Sequence, residues 1–106
     1  MNKKYDTLVI YYFSGTGNAK HCAEWICDAA EKHGIKSSMV DISKTEVRSI
    51  SPPTAGTLVG FCSPTHGFHF PEITRKFIRR FPAAKGVDAF VLNTRAGMRI
   101  FKLVLP

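Results

Sequence analysis

Acidic residues are scarce in this chain of 106 residues: eight Asp and Glu stand against fifteen Lys and Arg, a formal net charge of +7. Cysteines are few as well. Cys22, Cys27 and Cys62 are odd in number and show no C-x-x-C spacing, which excludes a disulfide framework, a redox pair and a run of cluster ligands. Five apart on a helix, Cys22 and Cys27 are expected on different faces, as small hydrophobes kept reduced. No stretch approaches the roughly 20 apolar residues of a membrane span. The start, Asn2-Lys3-Lys4-Tyr5-Asp6, runs straight into a strand without the pattern of a cleavable signal peptide, so a cytoplasmic protein with no membrane partner is expected. There is no repeat, low-complexity tract or internal linker, and one domain over residues 1–106 is expected.

What is present is 44% hydrophobic and 11% aromatic by residue count, enough for one packed core. Thr7-Leu8-Val9-Ile10-Tyr11-Tyr12 is apolar on both faces, the mark of a central strand covered on both sides. Asn18 suits a helix cap; Ala19, Cys22, Ala23, Ile26 and Ala30 then repeat at helical spacing, and Gly34 ends the helix. Trp25 lies near the acidic side of this helix and is expected to pack. Residues 37–42 alternate as a second strand, and 43–56, with Pro52-Pro53, form a connector with room for a short helix. Thr57-Leu58-Val59-Gly60-Phe61-Cys62 is a third buried strand. Between Pro71 and Pro82 a helix is predicted with Ile73, Phe77, Ile78 and Phe81 on one side and Arg75, Lys76, Arg79 and Arg80 on the other. Residues 87–92 are a fourth strand, and 98–105 are expected to be helical.

This alternation predicts a parallel α/β sheet, with ligands bound beyond the carboxyl ends of its strands. Three loops leave that edge: 13–18, 63–70 and 93–97. In the first, Ser14-Gly15-Thr16-Gly17-Asn18 offers glycine freedom, side-chain donors and the free N–H groups of a helix start, a site for a phosphate monoester. Several other anion loops fail by position. A Walker loop needs Lys-Ser/Thr where Asn18-Ala19 stand, and the dinucleotide fingerprint needs glycine at Lys20. A nucleophile elbow needs glycine at Tyr12, and a phosphatase loop needs arginine at Phe68. A receiver domain would want acids where Phe13 and Ser63 stand. Cys62, His66 and His69 lack a fourth metal ligand, so no metal is expected.

The loop Ser14-Gly15-Thr16-Gly17-Asn18 closely resembles the FMN phosphate loop of flavodoxins. The resemblance extends through Gly60-Phe61-Cys62-Ser63-Pro64-Thr65-His66-Gly67 and Asn93-Thr94-Arg95-Ala96-Gly97. It is nearest to flavodoxin domains that precede a ferredoxin module in flavodoxin–ferredoxin fusion proteins. It implies a doubly wound parallel sheet in the order 2-1-3-4 and an FMN cofactor. Ser14, Gly15, Thr16, Gly17 and Asn18 would hold the phosphate. Pro64, Thr65, His66, Gly67 and Phe68 would lie along one face of the flavin ring, and Asn93, Thr94, Arg95 and Gly97 along the other. The chain departs from the pattern at Ala19, where flavodoxins usually carry another hydroxyl, and in the third loop, which lacks a stacking aromatic. The implied activity is one-electron shuttling between redox partners, with FMN carrying the chemistry and no catalytic side chain required.

Charge is uneven along the chain. Residues 1–70 hold seven Lys/Arg against six Asp/Glu; residues 71–106 hold eight against Glu72 and Asp88. An acidic redox protein, such as a ferredoxin-type domain, is the expected partner for that last third. No groove-reading motif accompanies the basic residues, so nucleic acid is not expected. A flavodoxin sheet has a fifth strand and a final helix, and both are expected to be lacking here. That would leave 87–92 as an edge and invite a homo-oligomer. The alternative function is a flavin-free interaction module of the same fold, docking through its basic third; an FMN reductase is weaker for want of a nicotinamide site.

Overall fold

The computed structural model describes residues 5–13, 18–64, 71–82, 87–93 and 99–104, with the backbone alone at Asn18, Asn93 and 99–104. The elements run β1 (Thr7–Tyr12), α1 (Asn18–Lys32), β2 (Lys36–Asp41), two 3-10 turns (Ile42–Lys44 and Val47–Ser49), β3 (Thr57–Ser63), α2 (Glu72–Arg80), β4 (Asp88–Asn93) and β5 (Arg99–Val104). They build one five-stranded sheet in the order β2-β1-β3-β4-β5. Its first four strands are parallel in the expected order 2-1-3-4.

Strand alternation divides the core into two layers. Odd-numbered residues Tyr11, Val59, Phe61, Ala89 and Val91 face α2 and the 3-10 turns, where they meet Ile42, Val47, Phe77 and Phe81. Four rings form the centre of that layer: Tyr11 and Phe61 each meet Phe81 edge-on, at centroid distances of 5.0 and 5.3 Å, and Phe77 packs beside them. Even-numbered Leu8, Ile10, Cys62 and Leu92 face α1 through Ala19, Ala23 and Cys27. The small residues Ala19 and Ala23 let α1 lie close on the sheet. At its far end Gly34, at φ 77°, reverses the chain. The N–H of Gly34 donates to the Glu31 carbonyl and that of Ile35 to Ala30, both at 3.0 Å, the bond pair that closes a helix on a left-handed residue.

Several expectations about placement are corrected. Residues 99–104, expected as helix, form β5, antiparallel to β4 from Asn93↔Arg99 to Asp88↔Val104. Ile100, Phe101, Leu103 and Val104 suit a strand, and the bare edge of β4 offers a row of unmet donors and acceptors that a free helix would leave open. Consequently β4 is paired on both sides, and β2 and β5 are the edges. A fifth parallel strand does not occur among the described residues.

Cys22 and Cys27, expected on different faces, both pack into the α1-side layer with Cys62. The layer is wide enough to take both flanks of the helix stripe. Trp25, expected to pack, is 65% exposed. On α2 the buried stripe is Thr74, Phe77, Ile78 and Phe81, while Ile73 is 39% exposed.

Candidate functional site at the carboxyl edge of the sheet

β1, β3 and β4 end level with one another. Tyr12 is paired with Cys62, Cys62 with Leu92 and Ser63 with Asn93. One residue past β1, the Phe13 N–H donates to the Cys62 carbonyl at 3.0 Å and holds the two strand ends together. From β1 the chain goes outward to β2 and then crosses back to β3, so the strand order reverses between β1 and β3. At such a reversal the connections leave in opposite directions and open a crevice. The chain leaves the sheet at this edge after Phe13, Pro64 and Asn93.

The positive end of α1 stands at the same edge. The helix is 15 residues long and has no acid in its first turn, so nothing on the helix offsets its partial positive charge. The nearest acid on the neighbouring strand is engaged. Asp41, at the end of β2, accepts the N–H and hydroxyl of Ser43 at 2.9 and 2.7 Å and so caps its own 3-10 turn. This donor set, free helix N–H groups with no competing acid in the first turn, fits a phosphate.

The end of β3 is anchored by a buried hydroxyl pair. Ser63 and Thr74, both fully buried, share a hydrogen bond of 2.9 Å, and Ser63 Oγ also lies 3.1 Å from the Pro64 carbonyl. The pair ties the last residue of β3 to the first turns of α2 on either side of residues 65–70. Sequence reading missed Thr74 because Ile73 is the more apolar residue. The spacing 74, 77, 78, 81 was the better signal, being the i, i+3, i+4, i+7 stripe of a helix face.

Of the predicted site residues, Asn18 opens α1, Pro64 follows β3 half-buried and Asn93 closes β4. These three come together at one edge. Ser14, Gly15, Thr16, Gly17, Thr65, His66, Gly67, Phe68, Thr94, Arg95 and Gly97 lie outside the described residues. Cys62 is fully buried beneath the edge, and burial first, then its neighbours Cys22 and Cys27, pushes its thiol up to about 12. It is a protonated core residue at neutral pH, not a nucleophile. Elsewhere, a hollow of about 230 Å³ between the end of α1 and the sheet is lined by Tyr5, Leu8, Ile26, His33, Leu58 and Phe90; it lies at the negative end of α1, which disfavours a phosphate.

The flavodoxin family pattern matches residues 10–97, spanning all four parallel strands apart from the first three residues of β1. The chain belongs to the flavodoxin family. It is similar in structure to oxidised flavodoxin 1 from Bacillus cereus, at 23% identity and a TM-score of 0.63, over 80% of this chain and 58% of that one. A short-chain flavodoxin associated with a non-canonical PDU bacterial microcompartment gives 23% identity and a TM-score of 0.66, over 80% and 57%. Rubredoxin oxygen:oxidoreductase from the anaerobe Desulfovibrio gigas gives 14% and 0.62, over 84% of this chain and 23% of that one. This flavodoxin-family chain therefore spans less than two thirds of the length of these structures. Among curated proteins nothing matches it significantly. No helix among the described residues is long and apolar enough to cross a membrane.

Proposed function

We propose that this domain binds FMN at the carboxyl edge of β1, β3 and β4 and shuttles electrons between redox partners. The observation that carries the reading is the level ending of the three strands beside an α1 whose first turn holds no acid. When bound, FMN supplies the redox chemistry. The chain's own residues bind, orient and shield it. Ser14, Gly15, Thr16, Gly17 and Asn18 would hold the phosphate; residues 64–68 would flank one face of the ring and 93–97 the other. The Ser63–Thr74 pair orients the approach to the first of these flanks, and the packed layers below the edge keep water from the strand side. No side chain acts as a catalytic acid or base.

The partner is an acidic redox protein, possessing the charge complementary to the last third of the chain; a ferredoxin-type domain, joined or separate, has that character. Three cysteines with no disulfide among the described residues, two of them buried, suit a cytoplasmic setting. The basic α2 also favours a second reading, a flavin-free module of the same fold that docks through it. Visible absorption of the purified chain, before and after adding FMN and removing the excess, separates the two. Retained flavin that dithionite bleaches reversibly supports the carrier; a colourless protein after FMN treatment supports the module.

A further inference from the structure

A groove runs between α2 and the two 3-10 turns that follow β2. Val47 and Phe77 form its apolar floor, Ile73, Lys76 and Arg80 one wall, and Glu46 stands on the other. Ile73, Lys76 and Arg80 are spaced i, i+3, i+7 and so form one stripe down the helix. Ile73 and Trp25 are the exposed large hydrophobic residues among those described, and Trp25 sits on α1, across the sheet. Glu72 is the single acid of α2, and it lies 3.6 Å from Arg75. None of Lys76, Arg79 and Arg80 has an ion pair among the described residues. The helix thus presents an uncovered apolar side chain inside an uncompensated basic stripe.

We infer that this groove docks an acidic segment of a protein partner, taking one apolar side chain of that segment between Ile73, Val47 and Phe77 while Lys76 and Arg80 pair with carboxylates beside it. The size decides the kind of guest. At about 230 Å³ the groove is smaller than the roughly 300–1,000 Å³ of small-molecule pockets and matches one aliphatic or aromatic side chain. The charge decides its surroundings, since the two unpaired cations of the α2 wall, Lys76 and Arg80, favour carboxylates along that side of the anchor. A second copy of the chain is disfavoured by its net charge of +7. Nucleic acid is disfavoured by the apolar floor, which a phosphate backbone has nothing to fill, while Glu46 on the opposite rim keeps the guest's carboxylates to the α2 side. One end of the groove adjoins the carboxyl edge, because the first 3-10 turn begins at Ile42, directly after the last residue of β2. Docking stands on the groove alone; its part in electron transfer rests on the FMN reading.

The test is fluorescence anisotropy of a labelled acidic peptide carrying one central leucine among Glu and Asp, titrated with the full chain with and without FMN. Saturable binding is expected to weaken about tenfold or more when the leucine is replaced by serine, or when Ile73→Ser is introduced. The pair Lys76→Gln and Arg80→Gln is expected to weaken it similarly and to flatten its salt dependence, whereas Arg79→Gln, off the groove, changes it less than about threefold. All four positions are exposed, and an unchanged far-UV spectrum verifies the fold. Absence of saturable binding below about 1 mM overturns the proposal. So does binding indifferent to the leucine and to Ile73, tighter binding of a labelled DNA duplex that needs the same residues, or self-association that Ile73→Ser abolishes. Peptide binding without FMN retention separates the docking site from the cofactor reading, and FMN retention without peptide binding leaves only the latter.

Discussion

The Ser63–Thr74 hydroxyl pair makes an asymmetric prediction about stability. Ser63 has one hydroxyl proton, and with the Pro64 carbonyl 3.1 Å away as acceptor, Thr74 is the donor across the 2.9 Å contact. Ser63→Ala strips the buried Thr74 hydroxyl of that acceptor, and an orphaned buried donor costs about 1–3 kcal/mol. Thr74→Val keeps the side-chain shape and leaves Ser63 bonded to Pro64, so its cost is that of one ordinary bond, about 0.5–1.5 kcal/mol. With both changes neither site holds an unmet hydroxyl, and the double variant is expected to lose clearly less than the sum, with a coupling of about 1 kcal/mol. Urea midpoints at constant slope measure all three. Losses that add to within about 0.5 kcal/mol refute the pairing, and a Thr74→Val cost above that of Ser63→Ala refutes the assigned direction.

Gly60 lies under the Phe90 ring, where an added Cβ would sit 2.8 Å from one ring-edge carbon and closer still to the ring tip; Gly60→Ala is expected to cost about 1–3 kcal/mol in the same urea assay, and Phe90→Leu in the same chain to restore part of it. The buried Cys62 thiol titrates at about 12 instead of the ordinary 9.0, so its burial stabilises fully below pH 9 and loses that contribution between pH 9 and 12, as the unfolded thiol ionises first. Buried Cys27 and Tyr11 shift in the same direction. Urea midpoints from pH 8 upward should therefore fall above about pH 9, and fall less in Cys62→Ala; identical curves would contradict this. Removing residues 99–106 exposes the edge of β4, and light scattering should then show concentration-dependent association that the full chain lacks.

The parallel sheet was legible because β1, β3 and β4 are apolar runs bounded by turn residues and β2 alternates, and Gly34 marked the end of α1 by the conformation only glycine adopts cheaply. The strand ends of the candidate site could be read for the same reason, since a parallel sheet sends its carboxyl-end loops to one side. Residues 99–104 were misread because Arg99 and Lys102 are spaced as on a helix, while the reason for their pairing, the open edge of β4, lies outside the segment. Trp25 was misplaced because hydrophobicity alone does not say which flank of α1 meets the sheet. Thr74 was overlooked because its neighbour Ile73 is the more apolar residue, although the 74, 77, 78, 81 spacing marks the buried stripe.

The central claim is that the edge of β1, β3 and β4 holds FMN by its phosphate. Calorimetric titration of the full chain with FMN and with riboflavin, which lacks that group, tests it most directly. Several charge-assisted bonds at about 1.5–3 kcal/mol each predict FMN tighter by about 100-fold or more. Equal affinities, or no heat from either flavin, would contradict the account.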